Sequence, residues 1–165
     1  MNDLERAALR PLARRFRGPD AALAEIARLS AELTLPKGAV HIVSDVHGED
    51  VKLRHVVNNA SGTLRPLVER LFGERMTKAE LQDFLALVFY PREMLERLEP
   101  ELADPARRQA FARRVLPDLY TLVHALAARY TLPHLDRLLP EEYAELLREM
   151  LYGPARDPAY RGAII

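Results

Sequence analysis

A chain of 165 residues is long enough for one domain with a real core and short for two. Its hydrophobic share of 48% and charged share of 29% are those of a soluble globular protein. Twenty-four basic residues balance twenty-four acidic ones, so no net field recruits nucleic acid or an anionic membrane. The absence of cysteine excludes disulfides, thiolate catalysis and cysteine-type zinc sites.

The opening segment, MNDLERAALR, carries two acidic residues and no apolar stretch, which does not read as a signal peptide. No window is apolar for long enough to span a membrane, so the expected location is cytoplasmic. Leu4, Ala8 and Leu12 share one helical face. Gly18-Pro19-Asp20 stops that helix, and Asp20 is placed to cap a second one with Leu23, Ile26, Ala27 and Leu33 on its face. After the breaker Leu35-Pro36-Lys37-Gly38 the character changes. Ala39 to Val43 is short, branched and apolar on both faces, the pattern of a strand covered on both sides of a sheet. The strand expected at about 39–44 has no companion in the chain, and one strand cannot form a sheet.

Helices resume after Gly48. Val51 to Asn58 makes a short one, broken at Asn59-Ala60-Ser61-Gly62. Leu64, Leu67, Val68 and Leu71 form the inner face of the next, which stops at Gly73. Thr77-Lys78-Ala79-Glu80 reads as a capping box ahead of Leu81, Phe84, Leu85 and Val88. Tyr90-Pro91 ends that helix. Pro91, Pro105, Pro133 and Pro140 suit first helical positions, whereas Pro117 should kink or divide a longer helix. Inner faces follow at Leu119, Leu122, Val123, Leu126 and Tyr130, then at Tyr143, Leu146, Leu147 and Met150, before the stop at Gly153-Pro154.

The chemistry concentrates in Ser44-Asp45-Val46-His47-Gly48-Glu49. In open α/β sheets ligands bind just past the carboxyl ends of strands, where Asp45 and His47 stand. With one residue between them, an extended backbone points both side chains the same way. A carboxylate with an imidazole suits manganese, iron or zinc, and Gly48 permits backbone geometry closed to other residues. The alternative is a strand end with an Asx-type turn and a surface histidine. Glu49 and Asp50 are candidates for orienting His47 from outside the ligand set, or equally for stabilising a helix N-terminus. His55 reads as a packing or surface histidine rather than a ligand, and His124 and His134 match no metal spacing. Ser61-Gly62-Thr63 reads as a helix N-cap rather than an anion-binding turn. The pairs Arg107-Arg108 and Arg113-Arg114 read as a solvated face, without the aromatic interleaving that nucleic-acid stacking needs.

LPKGAVHIVSDVHGED, continuing into HVVNNASGTLRPLVERLFGERMTKAEL and FYPREML, resembles the class 3 fructose-1,6-bisphosphatases of Firmicutes type. These lie within the calcineurin-like metallophosphoesterases, whose first motif is a strand ending in S-D-x-H-G. Ala60 departs from the glycine usual in that family. The resemblance implies an α/β sandwich in the parent family. It also implies a dinuclear manganese centre with Asp45 and His47 on one metal ion, and hydrolysis of fructose 1,6-bisphosphate to fructose 6-phosphate and phosphate in gluconeogenesis. The later superfamily motifs, G-D-x-x-D-R-G and G-N-H-[DE], do not occur in the sequence.

The expectation is therefore a mostly helical N-terminal portion of such an enzyme. Residues 1–62 would hold the N-terminal helices, first strand and metal motif, and residues 63–165 a helical insertion. Two ligands fall short of the about six donors a hard divalent cation gathers, so the chain alone should be inactive. The alternatives are a non-catalytic helical interaction module, or one half of a split enzyme whose C-terminal part is a separate chain.

Overall fold

The computed structural model describes residues 2–37, 40–59 and 62–152, together with Gly162. The described residues are mostly helical. They form α1 (Asp3–Arg15), α2 (Pro19–Leu33), α3 (Asp50–Asn58), α4 (Leu64–Phe72), α5 (Lys78–Phe89), α6 (Pro91–Leu102), α7 (Pro105–Ala127), α8 (Leu132–Leu138) and, after a single 3-10 turn at Glu141–Tyr143, α9 (Ala144–Tyr152). Gly38, Ala39, Ala60, Ser61 and the stop at Gly153-Pro154 lie outside the described residues.

The core belongs to the second half. α4 packs on α5, α5 on α6, α6 on α7, and α7 on α9. Leu64, Leu67, Val68 and Phe72 of α4 meet Phe84 and Leu85 of α5 and Leu122 of α7, with Leu71, Leu81 and Val88 half-buried around them. Phe72 and Phe84 meet edge to face at 5.3 Å between ring centroids, the arrangement aromatic quadrupoles favour. A smaller cluster joins Ala127, Leu135 and Leu151.

Local signals account for most boundaries. Thr77 accepts the Glu80 amide while Glu80 accepts the Thr77 amide at 2.8 Å, the expected capping box. The Glu80 carboxyl is consequently held below its ordinary pKa, chiefly by its bonds from the Thr77 amide and hydroxyl. A second box, Asn2 with Glu5, starts α1 and is equally readable in the sequence as N-x-x-E. Gly73 stands at the C-cap of α4, its amide donating to the Glu69 carbonyl, and a side chain there would collide with that carbonyl oxygen.

Four expectations need correction. No strand forms in the described part of 39–44: residues 40–46 take no regular structure, because a strand is defined by ladder bonds and no partner strand supplies them. Asp20 does not cap α2; Gly18 stands at the cap with Pro19 in the first position, leaving Asp20 to act on the helix dipole. Pro117 does not divide α7, which runs through it unbroken for 23 residues. Pro133 takes the second position of α8 behind Leu132, and Pro140 caps the 3-10 turn, while Pro91 and Pro105 occupy first positions as expected.

Several faces read correctly as apolar and yet are not covered. α1, α2 and α3 bury no residue at all. Leu4, Leu12, Leu23, Ile26 and Leu33 are exposed, as are Tyr130, Tyr143, Val123 and Leu146 of the later faces. α1 and α2 are joined by the Arg15–Glu25 ion pair at 3.1 Å, a surface contact of small energetic weight.

Candidate metal motif

Asp45 and His47 come together, but not on an extended backbone. His47 has φ +46 and Gly48 φ +76, so the chain turns through the left-handed region at both residues. Glycine accepts this freely; histidine does so at a cost of about 1 kcal/mol. Asp45 Oδ1 accepts the His47 amide at 3.1 Å, an Asx turn, and the Glu49 amide closes on the Val46 carbonyl at 2.8 Å. The same turn swings the imidazole back, placing His47 Nε2 3.1 Å from Asp45 Oδ2. This is the local geometry of the Asx-turn alternative, and it holds two metal-competent groups side by side in solvent, their side chains 83% and 62% exposed.

The flanking acids point elsewhere. Glu49 pairs with Lys52 at 3.0 Å and Asp50 with Arg54 at 3.6 Å, both spanning one turn of α3. His124 and His134 are exposed and distant in sequence; His134 stacks on Tyr130 at 4.9 Å. Thr63 stands at the N-cap position of α4. Arg107, Arg108, Arg113 and Arg114 are exposed along α7, as expected for a solvated face.

His55 has a role that sequence reasoning missed. Asn59 Oδ1 accepts the Gly62 amide at 3.0 Å, which orients the Asn59 side chain so that its Nδ2 donates to His55 Nε2 at 3.2 Å. The other ring nitrogen, Nδ1, faces the Tyr90 hydroxyl. Both ring nitrogens are engaged, so neither offers a lone pair to a metal ion. The relay ties α3, which leaves the Asp45–His47 turn, to the junction of α5 and α6. Nothing local in the sequence signals a contact spanning 35 residues.

The donor chemistry of Asp45 and His47 fits a manganese-type ion; the number of donors does not. Among the described residues no group of three or more histidine, aspartate or glutamate side chains could hold a metal ion. No catalytic step follows from two solvent-exposed groups alone.

The model of the Firmicute fructose-1,6-bisphosphatase family matches residues 7–164. The chain belongs to this family. Class 3 fructose-1,6-bisphosphatases of Staphylococcus aureus strains bovine RF122 / ET3-1, Newman and USA300 are each 33% identical to it over 150 residues, covering 91% of the chain. The match spans only 23% of each of those relatives. No solved structure matches the chain. Among the described residues no helix is long and apolar enough to cross a membrane.

Proposed function

We propose that this chain supplies one wall of a fructose-1,6-bisphosphatase centre and is not itself a phosphatase. Asp45 and His47 serve as two ligands of a dinuclear manganese site. The remaining ligands reside on polypeptide corresponding to the other three quarters or so of the relatives' length. When complete, such a site supplies metal-activated water and charge neutralisation for removing a phosphate from fructose 1,6-bisphosphate. The contribution of this chain is to hold a carboxylate and an imidazole in a preset turn, with Glu49 and Asp50 close behind them. Residues 1–62 would join an α/β core and residues 63–165 would stand as a helical insertion, in a soluble, cytoplasmic enzyme of gluconeogenesis.

The observation that carries this reading is the uncovered segment leading into the motif. Val40, Ile42 and Val43 are 86%, 91% and 53% exposed, although His41 is the only polar residue among Ala39 to Val43. An apolar run of that kind is stable as a strand within a sheet whose two faces are both covered. The family match lends support, since it includes both the motif and the helices after it.

The test mixes the chain with a polypeptide carrying the remainder of a class 3 relative. Alone, the chain should release no phosphate from fructose 1,6-bisphosphate and give no saturable calorimetric signal with Mn2+ in the micromolar range. Together, the two should bind Mn2+ and turn over substrate, with Asp45→Asn and His47→Ala abolishing both. Turnover by the chain alone would refute the proposal. The exposed apolar faces of α1 and α2 also favour a second reading, a helical interaction module without catalysis. It predicts association with that polypeptide or another protein but no metal uptake in the mixture.

A further inference from the structure

Away from the Asp45–His47 turn, the segment before α5 and helices α5, α6 and α7 enclose a cleft of about 250 Å3. Its floor is apolar. Phe84 is buried there, and Met76, Leu87, Met94, Leu98 and Phe111 are half-buried around it. Three arginines and three acids also line the cleft, and of the acids Asp118 is buried. Most of the acids are already engaged. Asp118 pairs with Arg75, and Glu80 is held by Thr77 through the capping box. Among the described residues, neither Arg97 nor Arg114 forms a close ion pair with a carboxylate, although Arg114 acts on Glu80 through its charge and Asp83 also lines the cleft. Arg114 lies 5.7 Å over the Phe111 ring, which positions its guanidinium above the apolar floor.

This combination has a specific chemical complement. Arginine presents a planar fork of donors that matches a carboxylate or a phosphate in two-point contact. An apolar floor beneath two such forks suits a body that gains from leaving water. Ligand pockets are commonly apolar with a few convergent polar groups, in volumes of about 300–1,000 Å3. At 250 Å3 the occupant is small, on the scale of one substituted ring. We propose that this cleft binds a small amphipathic anion. Its apolar body lodges between Phe84, Met94 and Phe111, and its carboxylate or phosphate is held at the mouth by Arg97 and Arg114. The site shares no residue with the metal motif and stands independently of the phosphatase reading.

Methionine methyl resonances read the site directly. Met76 and Met94 line the cleft, and Met150 is buried on α9 outside it. With the full chain labelled at its methionine methyls, phenylacetate and phenyl phosphate are titrated separately, beside benzyl alcohol and inorganic phosphate. Saturable shifts of Met76 and Met94, with Met150 unmoved, are expected for at least one of the two aryl anions. The tighter of the two identifies the class of anion. Benzyl alcohol, lacking the charge, and inorganic phosphate, lacking the apolar body, should each bind at least tenfold more weakly. The double variant R97Q/R114Q, with an unchanged far-UV spectrum, should lose at least tenfold in affinity for the aryl anion. Shifts that fail to saturate, or equal binding of benzyl alcohol, overturn the proposal, and the latter comparison needs no variant. Unchanged affinity in a folded R97Q/R114Q does so too.

Discussion

Leu85→Ala and Ile42→Ala, measured side by side, test where the stability of this chain resides. Leu85 is 2% exposed in the centre of the α4–α5–α7 core. Truncation to alanine removes three carbons, worth about 2.4 kcal/mol at about 0.8 kcal/mol per buried methylene. The cavity left behind raises the total to about 3–5 kcal/mol, a large fraction of an ordinary domain's stability. Ile42 has a side chain of the same size, yet at 91% exposure it has almost no burial to lose. Ile42→Ala should therefore change stability by no more than about 0.5 kcal/mol. The assay is urea unfolding followed by far-UV circular dichroism, comparing midpoints at constant slope. An Ile42→Ala loss matching that of Leu85→Ala would refute the reasoning, because it would mean that the segment before the metal motif is covered in the isolated chain. In the mixture with the rest of a class 3 enzyme the order changes: Ile42→Ala should then weaken association sharply, while Leu85→Ala acts through the fold of this chain.

Four further outcomes follow from particular contacts. Thr77→Ala removes the α5 capping box and should cost about 1 kcal/mol near neutral pH, read from the same unfolding curves. Because the folded-state Glu80 carboxyl titrates below its ordinary range, its stabilising contribution is present above the unfolded pKa of about 4.3 and is lost as pH falls through the folded value. The difference between wild type and Glu80→Gln should therefore shrink as the pH drops below about 4. Pro117→Ala restores an amide donor inside α7 and should raise stability by about 1–3 kcal/mol, provided that the bond to the preceding turn forms. A destabilised Pro117→Ala would mean that the proline ring itself packs the helix. Gly73→Ala should destabilise, since the added methyl meets the Glu69 carbonyl; an unfolding midpoint at or above wild type would contradict that contact.

The legible part of this fold is the part written in local chemistry. Thr77 with Glu80, Tyr90 before Pro91, and the i, i+3, i+4, i+7 spacing from Leu81 to Val88 each act within one or two helical turns. Those elements appear with the expected boundaries. Periodicity also found the faces of α1 and α2, but it cannot say what covers them, because burial is a property of two surfaces. The His55–Tyr90 contact was invisible for a related reason: its partners are brought together by tertiary packing of α3 near the α5–α6 junction. Pro117 does not divide the 23-residue α7, because the packing of a helix whose Leu122 is buried in the core outweighs one missing helical bond. At the motif, residue types and spacing identified the pair. The turn at His47 brought the two side chains together in a way an extended backbone does not, and only the dihedral angles show it.

The conflict between pattern and exposure at Val40 to Val43 has a thermodynamic consequence. Ordering four residues costs about 1–2 kcal/mol each in backbone entropy, or roughly 4–8 kcal/mol. Burying Val40, Ile42 and Val43 returns about 1.5–3 kcal/mol apiece, or roughly 5–9 kcal/mol. The two sums nearly cancel, so on the proposed reading the segment would gain a fixed strand conformation only once neighbouring strands supply hydrogen bonds and other elements cover both faces. Strand formation and completion of the site would then be one event. The Asp45–His47 turn would stand at the end of that strand, three residues from Ile42. Docking of the sheet would convert a solvent-exposed pair into two ligands fixed against the opposite wall. On this account, manganese should strengthen association between this chain and the rest of the enzyme, and association should strengthen manganese binding by the same factor. The measurement is the affinity between the two polypeptides with and without Mn2+. Equal affinities would show that metal and strand do not share a site, while Asp45→Asn should remove the metal dependence and leave the metal-free affinity in place.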